Sequence, residues 1–174
     1  MRVLPVVVGA GLILGAVIMV QKKANADVAI ADTSLDGLFE KWGKTYSVDP
    51  LLIKAHAVVE SSMDPNAVNR SDPSYGLMQI LCRNKDGGAC TNNFNIDGWK
   101  GMTVQQLLNP DVNIRMAAQI IKFNLRYGLP RAIAVYNSWD QRVAQISGPF
   151  KNQAYVDAVR TAYRNLGGKD GRII

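Results

Sequence analysis

Apolar side chains recur at helical spacing along most of the chain. In residues 35–46 every third or fourth residue is apolar, and Ser34 provides an N-cap for this predicted helix. The next helix begins at Asp49-Pro50, a capping residue followed by a proline suited to the first helical position. Because this second helix is apolar on nearly all sides, we expect it to lie in the centre of the domain.

Four further helices are predicted in the C-terminal half of the chain. The capping box of Thr103 and Gln106 starts the first of them. Asn109-Pro110 starts the second, which ends at Gly128. Pro130 starts the third, and Gly167 ends the fourth. The last of these helices, before Gly167, is amphipathic and closes the domain.

Residues 64–101 interrupt the helical pattern. They are rich in Asn, Asp, Gly, Ser and Pro, which predicts a long loop with room for a short hairpin. A loop of this length inside a compact domain is usually functional. Strand alternation, a glycine-rich phosphate loop and internal repeats are not found in the sequence. The predicted fold class is therefore mainly α, with one domain.

The first 26 residues differ from the rest of the chain in composition. Arg2 precedes an apolar stretch over residues 3–20, and Ala24-Asn25-Ala26 matches a signal-peptidase cleavage pattern. The stretch also reaches the lower length of a membrane span, so a cleaved signal and a retained anchor both fit. Either would place the body outside the cytoplasm. The predicted boundaries are 1–26 for this segment, 27–34 for a linker, 35–166 for the domain and 167–174 for a tail.

The charge of the predicted body is only mildly basic. Without Arg2, Lys22 and Lys23, 17 of the 20 basic residues remain against 14 acidic ones. This balance suits an anionic polymer such as a cell wall. No basic run with interleaved aromatic residues is present, which argues against nucleic acid. A single histidine argues against a zinc site of the usual kind, and no cofactor is predicted.

Cys82 and Cys90 are the only cysteines and lie in one short glycine-containing loop. In an oxidising compartment their pairing would stabilise the loop by about 2.5 kcal/mol. Two free thiols are the alternative.

Glu60 is the strongest candidate for a catalytic residue. It lies in the last turn of the apolar second helix, where the negative end of the helix dipole and the apolar Val58 and Val59 both disfavour its charged form. We expect a raised pKa, which suits a general acid. The alternative is a surface glutamate that caps or pairs at the helix end. His56, one turn earlier, is either a contact of Glu60 or a packed core residue.

Four motifs resemble the soluble lytic transglycosylase family, whose catalytic domain has a goose-type lysozyme-like fold. They are Glu60-Ser61-Ser62 with Asp64-Pro65-Asn66-Ala67 and Gly76-Leu77-Met78-Gln79-Ile80, "LLNPDVNIRMAAQII", "AVYNSW" and "QAYVDAV". Their order and spacing cover about residues 35–166, nearly the whole predicted body.

The resemblance implies that the chain cleaves the β-1,4 bond between N-acetylmuramic acid and N-acetylglucosamine in peptidoglycan. Glu60 would be the single acid and base, and the product would carry a 1,6-anhydro ring. The implied substrate-binding residues are Ser61, Gly76, Met78, Gln79, Tyr136 and Asn137. Among these, Met78 would pack on a sugar face and Tyr136 would reach Glu60 with its hydroxyl.

Other residues of the loop and its surroundings leave alternatives open. Asp86 and Asp97 could activate water, as loop aspartates do in goose-type lysozymes, which would make the chain a hydrolytic muramidase. Tyr75, Trp99 and Trp139 are candidate sugar platforms. A membrane-tethered peptidoglycan-binding adaptor without turnover is a further alternative. The predicted setting is phage lysis or entry, or a bacterial secretion or conjugation apparatus.

Overall fold

The computed structural model describes residues 34–83, 89–90, 101–138, 142 and 149–169. These residues are mainly helical, as predicted. The helices, numbered in chain order, are α1 (Leu35–Tyr46), α2 (Pro50–Ser61), α3 (Val104–Leu107), α4 (Pro110–Asn124), α5 (Leu129–Ser138) and α6 (Gln153–Asn165). A 3₁₀ turn, Leu125–Tyr127, extends α4 as far as Gly128.

The predicted helix starts are confirmed by their capping hydrogen bonds. Ser34 accepts a hydrogen bond from the backbone of the first turn of α1. Asp49 caps α2 by accepting from the Leu51 N–H at 2.9 Å, with proline in the first turn. Thr103 and Gln106 form both bonds of a capping box at α3. These caps satisfy backbone N–H groups that have no partner inside the helix.

Helix α2 lies at the centre of the described core, as its apolar sequence predicted. Leu52, Ile53 and Ala55 are buried, and α2 packs against α1, α4 and α6. Because its neighbours fix this helix on several sides, the residue at its C-terminal end has a well-defined position.

The segment after α2 has more regular structure than the predicted single hairpin. It forms a small antiparallel sheet of three two-residue strands, β1 (Val68–Asn69), β2 (Ser74–Tyr75) and β3 (Ile80–Leu81), in the order β1-β2-β3. Val68 pairs with Tyr75, and Tyr75 pairs with Ile80. Strands this short give almost no alternation pattern, so the sequence could not predict the second pairing.

A disulfide joins Cys82, directly after β3, to Cys90, with 4.9 Å between their Cα atoms. The Cys90 N–H also donates to the carbonyl of Met102, just before α3. The sheet is therefore connected to the segment that leads into α3.

Within the described ranges no helix is both long enough and apolar enough to cross a membrane. The apolar stretch at residues 3–20 lies outside those ranges, as does the linker at 27–33.

Candidate active site

Glu60 is the next-to-last residue of α2, and the helix stops directly after it for a local reason. Ser62 adopts a left-handed conformation, with φ at 53°, and its N–H donates back to the carbonyls of Ala57 and Val58. Met63 is also left-handed, with φ at 69°. Two such residues in succession turn the chain away from the helix axis and leave Glu60 at its end.

The carboxyl group of Glu60 is partly buried and accepts a hydrogen bond from Tyr155. The distance from the Tyr155 Oη to the Glu60 Oε1 is 2.5 Å. Burial raises the pKa of Glu60 from 4.5 to about 7, against the opposing effect of the Tyr155 hydrogen bond. The direction is the one expected from the sequence. A large fraction of Glu60 therefore holds a proton at neutral pH.

His56 lies one turn before Glu60 and bonds to the same tyrosine. Its Nδ1 is 2.9 Å from the Tyr155 Oη, and its ring centroid is 4.5 Å from that of Tyr136. The residue is only 1% exposed, and burial lowers its pKa to about 3. The imidazole is therefore neutral at physiological pH. His56 is a packed core residue. It is also connected to Glu60 through the hydroxyl group of Tyr155.

A cleft of about 140 Å³ opens beside Glu60. The described residues that line it all have a polar side-chain group. These residues are Glu60, Asn69, Asp72, Ser74, Gln79, Tyr136 and Asn137. Such a lining can form many hydrogen bonds to the hydroxyl and acetamido groups of a sugar.

The hydroxyl groups of Tyr136 and Tyr155 have different hydrogen-bond acceptors, and the predicted contact between Tyr136 and Glu60 stays a prediction. The Tyr136 hydroxyl donates its hydrogen to the Met78 carbonyl at 2.9 Å, and the hydroxyl that donates to Glu60 is that of Tyr155. Tyr136 still lines the cleft, and burial together with the nearby Glu60 charge raises its pKa. The sequence missed Tyr155. It lies 95 positions from Glu60, inside the quoted "QAYVDAV", but a tyrosine on an amphipathic helix gives no local sign of a distant partner.

Met78 and Gly76 are not on the cleft, contrary to the predicted roles. The Met78 side chain is 0% exposed and packs in the core. Gly76 is buried with φ at 76°, and an added Cβ would lie 2.6 Å from the Leu107 carbonyl oxygen and 2.8 Å from the Asn113 Nδ2. Glycine is required there because the loop backbone packs closely on the α3–α4 region.

Asn113, the second asparagine of the quoted "NPDVN", explains that close approach. It is 0% exposed, and its side chain bonds to three backbone groups. Its Oδ1 accepts from the Met78 N–H at 2.7 Å, while its Nδ2 donates to the carbonyls of Tyr75 and Leu107. Asn113 therefore fixes the loop that carries the cleft residues to helix α4.

Two other predicted residues, Gln79 and Ser61, stabilise the loop through hydrogen bonds. Gln79 lines the cleft, but its Nε2 donates to the carbonyls of Gly76 and Ala67. Its φ of 46° is uncommon for a non-glycine residue and costs about 1 kcal/mol. The Ser61 hydroxyl contacts the Leu77 carbonyl at 2.8 Å and so joins the end of α2 to the loop.

The rim of the cleft contains residues that the sequence did not identify. Asn69 accepts from the N–H groups of Ser71 and Asp72, which forms the turn carrying the exposed Asp72 carboxylate. Asn137, which was predicted, is exposed on the opposite element, α5, and accepts from the Nδ2 of Asn152. Among the candidate platforms, Tyr75 is half-buried against the core. The remaining candidates, Trp99, Trp139, Asp86 and Asp97, lie outside the described residues.

Comparison with known proteins shows which family the chain belongs to. A family model described as the transglycosylase SLT domain matches residues 37–157, well over half of the chain. The endo-type membrane-bound lytic murein transglycosylases A of Salmonella paratyphi B and Salmonella typhimurium are each 40% identical over 80 residues, or 45% of this chain. This chain spans only 37% of the length of those relatives.

A solved structure shows the same fold. The X-ray structure of an inactive mutant of lytic transglycosylase Slt from Pseudomonas aeruginosa matches with a TM-score of 0.60 and 18% identity. The match covers 88% of this chain and 29% of that chain. With the family model covering most of the helical body, the resemblance drawn from the four motifs is confirmed, and the chain belongs to the transglycosylase SLT domain family.

Proposed function

We propose that the chain is a peptidoglycan lytic transglycosylase in which Glu60 is the catalytic acid and base. It would cleave the β-1,4 bond between N-acetylmuramic acid and N-acetylglucosamine. The observation that carries the proposal is a partly buried carboxyl group, with its pKa raised to about 7, on a cleft lined by polar side chains. Membership of the family and the names of the relatives support the same chemistry.

The reaction proceeds in two proton transfers. Protonated Glu60 donates its hydrogen to the glycosidic oxygen as the bond to C1 of the muramic acid breaks. The acetamido oxygen of the same sugar then bonds to C1 and traps the cationic centre. Glu60, now ionised, takes the proton of the 6-hydroxyl, whose oxygen displaces the acetamido oxygen and closes the 1,6-anhydro ring. One carboxyl group suffices because the substrate supplies the nucleophile that a second carboxylate provides in most glycosidases.

Tyr155 supports both states of Glu60. Its hydrogen bond to Oε1 orients the carboxyl group and stabilises the ionised form produced by the first step. Burial has the opposite effect and favours return of the proton. The two influences together keep the pKa of Glu60 near neutral pH, where a group can both donate and accept a proton efficiently.

The test is the variant Glu60→Gln, assayed on purified sacculi. Glutamine keeps the shape of the side chain and an Oε1 that can accept from Tyr155, but it cannot donate an acid proton. We expect release of soluble muropeptides to fall at least about a hundredfold, while circular dichroism stays unchanged. Full activity of the variant would reject the assignment. Mass spectrometry of the products from the unmodified chain would show anhydro ends.

Hydrolysis is the second candidate, because Asp72 lines the same cleft as Glu60. A second carboxylate there could activate water, so that the product would carry a reducing end. The matched variant is Asp72→Asn. For a transglycosylase we expect anhydro ends from both the parent and the variant. Reducing ends from the parent, lost together with activity in Asp72→Asn, would establish the hydrolytic muramidase instead.

The predicted binding adaptor differs from both enzymes in a simple observable. An adaptor would sediment with sacculi and release no soluble product. A proton-holding Glu60 has no evident use in such a protein, which favours the enzyme.

We further propose that the chain acts in the cell envelope, since the named relatives are membrane-bound and their substrate is murein. Its membrane attachment through residues 1–26 remains a prediction, as does its phage, secretion or conjugation setting.

A further inference from the structure

The buried histidine is chemically unusual because a neutral imidazole is connected to the candidate acid by a single hydroxyl group. The His56 Nδ1 is 2.9 Å from the Tyr155 Oη, and the Tyr155 Oη is 2.5 Å from the Glu60 Oε1. His56 is 1% exposed, so solvent cannot readily replace its bond to Tyr155. The proposed mechanism assigns no role to this ring.

Once the Tyr155 hydroxyl donates to Glu60, counting hydrogens fixes the remaining donors and acceptors of these contacts. A tyrosine hydroxyl has one hydrogen, and here it is donated to the Glu60 Oε1. The Tyr155 oxygen can then only accept from the His56 Nδ1, which must therefore carry the hydrogen of the neutral ring. Because Oε1 is an acceptor, a protonated Glu60 must hold its own hydrogen on Oε2.

The other tautomer would reverse every bond. If the ring hydrogen of His56 were on Nε2, the bare Nδ1 would accept the Tyr155 hydrogen. The Tyr155 oxygen would then need a donor, and Glu60 could supply one only by placing its proton on Oε1. That proton would then be held in the bond to Tyr155 and would not be free for a bound sugar.

We propose that His56 is a positioning residue whose Nδ1–H tautomer directs the Tyr155 hydroxyl to Oε1 of Glu60 and so places the acid proton on Oε2, the oxygen that Tyr155 does not contact. The inference rests on the proposed function for the use of that proton. It concerns the placement of hydrogen atoms, which can be observed without substrate.

The groups around His56 do not disturb this assignment. Among the described residues, Tyr136 of α5 and Tyr155 of α6 are the titratable side chains in contact with its ring. The pKa values of both are raised well above 10, so they are neutral at physiological pH.

Helices α1 and α4, which also pack against α2, present carboxylates that bond elsewhere. Asp36 pairs with Lys54, and Asp111 pairs with Lys41. Neither pair includes a residue of the network formed by His56, Tyr155 and Glu60.

The first experiment uses the fact that the chain contains a single histidine. With ¹⁵N-labelled histidine, two-dimensional NMR of the folded protein reports both ring nitrogens of one residue without assignment. We expect the neutral Nδ1–H tautomer at pH 8.5 and also at pH 5.5, where Glu60 is protonated and the reversed arrangement would be available. An Nε2–H tautomer or an imidazolium at pH 5.5 would overturn the proposal.

The second experiment measures the consequence for the reaction. His56→Phe keeps a flat ring but removes the donor, whereas His56→Asn puts an amide N–H at about the position of Nδ1. We expect about a tenfold lower kcat for His56→Phe with little change in KM, and partial recovery in His56→Asn. A phenylalanine variant with parental kcat and an unchanged pH profile would contradict the role.

The outcomes separate this inference from the proposed function. An active Glu60→Gln would remove the function whatever the tautomer is. An inactive Glu60→Gln together with the Nε2–H tautomer would leave the function intact and reject only the role of His56. The NMR measurement on the unmodified chain remains decisive if the phenylalanine variant does not fold.

Discussion

Replacing Glu60 by glutamine should stabilise the protein, and by an amount that depends on pH. Burial raises the pKa of Glu60 from 4.5 to about 7. A carboxyl group with a raised pKa favours the folded state fully below its unfolded pKa, and this contribution is lost as pH rises through the folded pKa. The window is therefore pH 4.5 to 7. At 1.36 kcal/mol per pKa unit, ionisation of Glu60 above this window costs the folded protein about 3 kcal/mol.

Glutamine removes this cost because it never ionises, and its Oε1 can still accept from Tyr155. The assay is urea unfolding followed by tryptophan fluorescence at pH 4.5, 6, 7 and 8. As pH rises from 4.5 to 8, we expect the free energy of unfolding of Glu60→Gln minus that of the parent to increase by about 3 kcal/mol. The titration of the buried His56 affects both proteins alike and so cancels in the difference. Two stability curves that stay parallel over this range would refute the claim that Glu60 is desolvated.

Three further predictions address other parts of the site. Tyr155→Phe removes the hydrogen bond that lowers the pKa of Glu60, so the pH at which muropeptide release is half lost should rise by up to about one unit; no rise would contradict the bond. Gly76→Ala should lower the free energy of unfolding by at least about 2 kcal/mol, because it combines a positive φ with a steric clash; equal urea midpoints for variant and parent would rule out that close packing. The double variant Cys82→Ser, Cys90→Ser should lose about 2.5 kcal/mol by the same measurement, and the loss should match that of the parent in reductant; stability that reductant leaves unchanged would contradict a stabilising disulfide.

The helices could be predicted from the sequence because their signals are local. A cap acts on backbone groups two or three residues away, so Asp49-Pro50 and the Thr103/Gln106 pair identify helix starts without knowledge of the fold. The raised pKa of Glu60 was also predictable, since the helix that carries it is apolar over almost its whole length.

The side-chain contacts of the site could not be predicted in the same way. Tyr155 and Asn113 join segments that are far apart in sequence, and the residues beside them give no indication of their hydrogen-bond partners. Met78 and Gly76 were assigned to the substrate from a motif, but a motif does not tell which side of a loop faces the cleft. Asp72 was overlooked because its position on the cleft depends on the turn formed by Asn69.

The central claim is that Glu60 holds its proton at neutral pH. The chain has only two glutamates, Glu40 and Glu60, so ¹³C labelling of glutamate carboxyl groups gives two NMR signals, and Glu40→Gln identifies the one that remains as Glu60. This account predicts that the Glu60 signal titrates with a midpoint near pH 7. A midpoint near the ordinary value of 4.5 would contradict it.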